Sequence, residues 1–143
     1  MNKKFLLAAL VTTVVQFLGN AIVYIAVLKD FFQNHPAVSP EFMKQLYLSD
    51  DQLIVWAMAL CSVSLGLLLT TVICWSGART FISGLRSGFL FAILFLFSVD
   101  FGLLASTNNF TIAGAFADII CSTTTVTISC GVAAWMLGRG KTA

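Results

Sequence analysis

The sequence predicts an all-α fold, an integral membrane four-helix bundle with both termini cytoplasmic. Three observations lead there. The 143 residues are 59% hydrophobic and only 10% charged, far from the roughly 45–50% apolar and 25% charged residues of soluble domains. Four apolar runs each reach the roughly 20 residues that a transmembrane helix needs. The basic residues crowd toward one side of those runs.

The first run, residues 5–28, follows Lys3 and Lys4 as a signal peptide would. It outlasts a signal h-region of about 7–15 residues and carries no A-x-A pattern near its end, so it is expected to stay as an uncleaved first span. The second covers about 50–75. Ser49-Asp50-Asp51-Gln52 is expected to open it as a capping box, with two acids at the positive helix end. Ser76-Gly77-Ala78-Arg79 makes a short turn into the third span, 81–105, and Thr107-Asn108-Asn109 turns into the fourth, 110–137. Gly138, Arg139, Gly140 and Lys141 end that helix with glycine past the last turn and cations on its carbonyl end.

Charge sets the expected topology, since translocating short basic loops is disfavoured. Lys3, Lys4, Arg79, Arg86, Arg139 and Lys141 fall on one side, and only Lys29 and Lys44 on the other, diluted by Asp30, Glu41, Asp50 and Asp51. Six against two places both ends inside, as a multi-pass protein of the cell inner membrane. The outer loop, 29–49, is expected to hold a short surface helix at about 40–47, capped by Ser39, with Pro40 at its first position and Phe42, Met43 and Leu46 toward one face. His35, beside Pro36, reads as a solvated loop residue.

Within hydrocarbon, polar side chains must face protein or water. Thr12, Gln16, Asn20 and Tyr24 recur every fourth residue and share one face of the first span. Ala59, Ser62, Gly66 and Thr70 do so in the second, and Gly114, Asp118, Ser122, Thr125 and Ser129 in the fourth. Gly66, Gly114 and the pair Gly84-x-x-x-Gly88 are helix-packing candidates, because small residues let helices approach closely.

Asp100 and Asp118 stand out, since an acid within a span is costly and marks a functional hypothesis by default. At 1.5 Å per residue, Asp100 lies about 9 Å from the outer helix end, Asp118 and Asn20 about 12 Å and Ser62 about 14 Å. With no cation at that level, two meeting carboxylates need a proton, a cation or water between them. Asp100, Asp118, Asn20, Gln16, Ser62 and Ser122 therefore form the candidate buried polar site. Its structural alternative is a set of interhelical hydrogen bonds.

Several function classes drop out. Cys61, Cys74, Cys121 and Cys130 lie in apolar segments without a C-x-x-C pair, as packing residues rather than redox or zinc-binding ones. No Ser-His-Asp order, H-E-x-x-H or Gly-rich phosphate loop occurs, so no enzyme, metal site or cofactor is expected. The net charge of +2 is scattered and forms no nucleic-acid patch. Two readings remain beside the lipid bilayer as partner. One is a non-catalytic protein acting through helix packing, as a homo-oligomer or accessory subunit of a larger membrane complex, using the bulky third-span faces of Phe89, Phe91, Phe95, Phe97 and Phe101. The other is a small cation- or proton-linked carrier or solute-binding protein using Asp100 and Asp118.

Gly19 to Tyr24 in the first span, Gly77-Ala78-Arg79 before a third span with Gly84 and Gly88, and Thr107-Asn108-Asn109 followed by Asp118 resemble small bacterial four-span membrane families of unknown function. The resemblance covers most of the chain in order and spacing. It implies a compact helical membrane domain and brings no activity with it.

Overall fold

The computed structural model describes residues 3–49, 52–108 and 111–139 of the chain. Every element among them is helical: α1 (Lys3–Val23), a π turn (Tyr24–Leu28), α2 (Lys29–Asn34), α3 (Pro40–Leu46), α4 (Val55–Ser76), α5 (Phe81–Ser106) and α6 (Ile112–Gly138). Four helical segments are long and apolar enough to cross a membrane, the first running unbroken through α1, the π turn and α2.

The helix ends follow local chemistry more closely than hydropathy does. The first helix passes its expected end at Leu28 and stops at Asn34. Nothing in Lys29 to Asn34 breaks a helix, and the restriction that Pro36 places on its predecessor begins only at His35. Ser39 accepts a hydrogen bond from the Phe42 amide, and Pro40 opens α3. Gly77 closes α4 at φ +73°, a backbone conformation that glycine adopts without steric cost. Thr80 and Ser83 form a reciprocal capping box on α5, and Thr111 accepts from the Gly114 amide at the start of α6.

The expected capping box at Ser49–Gln52 does not open α4. The Gln52 amide bonds to the Ser49 carbonyl in a separate turn, and α4 begins at Val55 after Ile54, with no side-chain cap. Asp50, Asp51, Asn109, Phe110, Gly140 and Lys141 lie outside the described residues, as does the side chain of Leu46. Gly138 is the last residue of α6 rather than a residue beyond it. A side chain there would collide with the Arg79 carbonyl, so the glycine serves a close crossing of chain ends.

The bundle is built around α6. It packs along most of α5 and against α1 and α4, while α5 touches α4 only lightly. Half of the most apolar stretch of α6 is buried, against 17–22% in the other three spans. Most of its inward residues are small, Gly114, Ala115, Cys130, Gly131, Ala133 and Ala134 being buried alongside the larger Ile119 and Val126. Small residues substitute for the hydrophobic effect, which does not drive helices together in lipid, by allowing close backbone packing. A Cβ on Gly84 would lie 2.6 Å from the Cys130 carbonyl oxygen, one on Gly88 would strike the Cys130 side chain, and one on Gly66 would strike Thr13.

Burial is uneven along the spans. The buried residues of α1 are Ala8, Ala9, Thr12 and Gln16, and those of α4 are Gly66, Leu69, Thr70 and Ile73. Both sets lie toward the end of the bundle that carries the termini, where Lys4 Nζ donates to the Arg139 carbonyl at 3.1 Å. Toward the α3 end, α1 and α4 part and leave a groove of about 790 Å³.

Candidate functional site

The polar residues of the spans gather on α6 in two groups. In the first, α5 and α6 are joined by the short connection through Thr107, so positions equally far from it on the two antiparallel helices come side by side. Asp100 is six residues before Ser106 and Asp118 six residues after Ile112, each about 9 Å along its helix. The two carboxyls lie close enough to act on each other's charge. Ser122, one turn along α6, donates to Asp118 Oδ1 at 3.4 Å. Asp100 is buried, 3% exposed, and no donor among the described residues reaches its Oδ2. Phe97, Phe101 and Phe116 pack in stacked and edge-on contact on the same two helices, with centroids 5.3–6.3 Å apart.

In the second group, Gln16 of α1 enters the bundle beside α6. Its Nε2 donates to Asn20 Oδ1 at 3.1 Å and to Thr125 Oγ1 at 3.5 Å, and its Oε1 accepts from Ser129 at 2.7 Å. Thr125 donates to Asn20 Oδ1 at 2.8 Å. Gln16 and Ser129 are fully enclosed while Asn20 stays at the surface. The small Gly19 lets α1 come close here, since a Cβ on it would touch Thr125 at 3.5 Å.

The six candidate residues thus separate. Asp100, Asp118 and Ser122 form one group, and Gln16 and Asn20 belong to the other. Ser62 joins neither through a hydrogen bond. Its hydroxyl donates to the Met58 carbonyl of its own helix at 2.9 Å, and it lines the groove opposite Gln16 and Asn20. Thr125 and Ser129, the actual partners of Gln16, belonged to the small-residue stripe of α6, and their spacing of four was the signal that could have named them. Thr12, on the same face of α1 as Gln16, is buried with its hydroxyl unpartnered.

Asp118 also lines a cavity of about 290 Å³ beneath α2 and α3. Its walls include Tyr24 and Leu28 from the π turn, Phe32 from α2, Met43 of α3 and Tyr47 just beyond it. His35 stands at its edge, exposed, with its ring stacked on Phe31 at 4.5 Å and its Nδ1 3.1 Å from the Phe31 carbonyl oxygen. Phe42 is exposed, whereas Met43 lines the cavity. The helix-packing candidates Gly66, Gly84, Gly88 and Gly114 are all buried. Of the cysteines, Cys130 is buried against Gly88, whereas Cys61 is exposed and lines the groove. No group of three or more His, Cys, Asp or Glu residues able to hold a metal occurs among the described residues.

No protein-family model, curated protein or solved structure matches the chain. What stands is an all-helical chain with four segments compatible with a multi-pass membrane protein in contact with a lipid bilayer.

Proposed function

We propose that this chain is a small membrane protein that binds a proton or a cation at the Asp100–Asp118 pair. The observation that supports it is the placement of the two carboxyls at matching positions of an apolar helix pair, near enough to act on each other's charge, with Asp118 opening on a cavity. Two charged carboxylates about 4 Å apart repel by about 4 kcal/mol at an effective dielectric of 20. One proton held between them removes that cost and turns repulsion into a hydrogen bond. A cation entering from the cavity replaces it: the carboxyl O–H bond breaks, the proton leaves to water, and the carboxylate is neutralised by the incoming charge. The reading assigns no enzymatic step to either acid.

Proton counting with a pH-sensitive dye tests this on the full-length protein in weakly buffered detergent. A panel of sodium, potassium, magnesium, calcium and organic ammonium salts should include cations that release up to about one proton per chain. Asp100→Asn and Asp118→Asn should release none. Silence across the panel would remove the reading's support.

A second reading is favoured by the groove between α1 and α4 and by the bulky exposed residues that line it, among them Phe17, Ile25 and Leu53. Here the protein is non-catalytic and acts by packing, as a homo-oligomer or an accessory subunit of a larger complex in a bacterial inner membrane, with both termini cytoplasmic. Mass measurement in mild detergent decides it, a clean monomer without a co-purifying chain counting against it.

A further inference from the structure

We infer that the cavity beneath α2 and α3 is a binding site for an organic ammonium cation, with Asp118 as its counter-ion. This rests on the acid-pair reading and names the ligand class of that site. Four observations carry it.

The first is the make-up of the walls. A metal ion that sheds its water needs about six oxygen ligands, whereas Asp118 is the one carboxylate among the described lining residues, which apart from Thr111 and His35 are mostly apolar or aromatic, with Tyr24, Phe32 and Tyr47 among them. Such walls suit a ligand that brings its own apolar body. The second is the pairing of rings with charge. Aromatic faces attract a cation, most strongly when it is desolvated, and quaternary ammonium groups are bound in this way. The third is size. A volume of about 290 Å³ matches the lower end of small-molecule pockets, about 300 Å³.

The fourth is the unsatisfied acid behind the wall. Asp100 is only 3% exposed, lies near enough to Asp118 to feel its charge, and carries an Oδ2 that no described donor reaches. A buried polar atom without a partner calls for an explanation. A bound ammonium at Asp118 supplies one, since positive charge at the pair offsets the negative charge of both carboxyls. The π turn contributes geometry: such turns recur at functional sites, and Tyr24, Leu28 and Phe32, spaced by four, all reach the cavity from the helix that contains it.

Equilibrium dialysis of the full-length protein in detergent tests this, with phenyltrimethylammonium as probe and its neutral carbon isostere tert-butylbenzene as control, each corrected for empty micelles. The cation should bind saturably at one site per chain and release a proton, while the isostere should bind at least about tenfold more weakly. Asp118→Asn should weaken cation binding by about tenfold or more. Met43→Trp, which narrows the cavity and leaves both acids in place, should abolish phenyltrimethylammonium binding yet keep proton release by any inorganic cation that displaces it from the wild type. Equal binding of cation and isostere, or undiminished binding by either variant, would overturn the inference. If inorganic cations release the proton and phenyltrimethylammonium does not bind, this inference falls and the acid-pair reading stands. If no cation of either kind releases a proton, both fall.

Discussion

Replacing Gln16 with leucine would remove three hydrogen bonds at once, to Asn20, Thr125 and Ser129, and leave the buried Ser129 hydroxyl with only the Thr125 carbonyl as acceptor. Two of them, to Thr125 and Ser129, cross from α1 to α6, and interhelical bonds contribute about 0.6–2 kcal/mol each in membranes, so Gln16→Leu should lower stability by about 1–3 kcal/mol. Ser62→Ala should change it by less than about 0.5 kcal/mol, because that hydroxyl bonds within its own helix. Unfolding of both variants in mixed micelles of mild detergent and dodecyl sulfate checks the contrast. If the two behave alike, the Gln16 group does not tie α1 to α6. The sequence allowed the acids to be singled out, since carboxyls in apolar runs are visible in any order. It did not allow their partners to be assigned. Ser62 and Ser122 look equivalent as strings of letters, yet one bonds to its own backbone and the other to Asp118. That choice is made by which helices pack together.

Among the elements, those with local chemical signals were the legible ones. Ser39 and Pro40 start α3 where cap and ring require, and Gly77 ends α4 with the left-handed residue that a helix stop favours. The length of the first helix was hidden, because apolar composition ends near Leu28 while backbone hydrogen bonding continues until the approach of Pro36. The central place of α6 was also hidden. Its stripe of small residues shows that something packs closely, without saying that three helices do. Two glycines on α5 offer a test. Gly88→Ala would push a methyl into the Cys130 side chain, whereas no atom of the described residues lies within 4 Å of a Cβ on Gly102. Overpacking should cost Gly88→Ala about 1–3 kcal/mol, while Gly102→Ala should be neutral or slightly stabilising. The same micelle unfolding experiment reads both, and equal effects would mean that α5 and α6 do not pack through Gly88.

At the scale of the whole molecule, the spans close together at the end that carries the termini and part at the end that carries α3, where the acid pair, the cavity and the groove all lie. From the charge bias of Lys3, Lys4, Arg79, Arg86 and Arg139 the closed end is expected to face the cytoplasm, and reporter fusions at the C-terminus check this: fluorescent protein should fluoresce and alkaline phosphatase should be inactive. The reverse pattern would turn the cavity to the cytoplasmic side without altering its chemistry. The proposed chemistry depends on a proton held between two carboxyls. Infrared difference spectroscopy of the full-length protein reads it directly, because a protonated carboxyl has a carbonyl band distinct from that of a carboxylate. The expected result is such a band in the wild type that disappears when a binding cation is added, with no cation-induced loss of the band in Asp100→Asn or Asp118→Asn. A wild-type spectrum with no protonated carboxyl, or with a band that no cation changes, would contradict the assignment of Asp100 and Asp118 as a proton- and cation-binding pair.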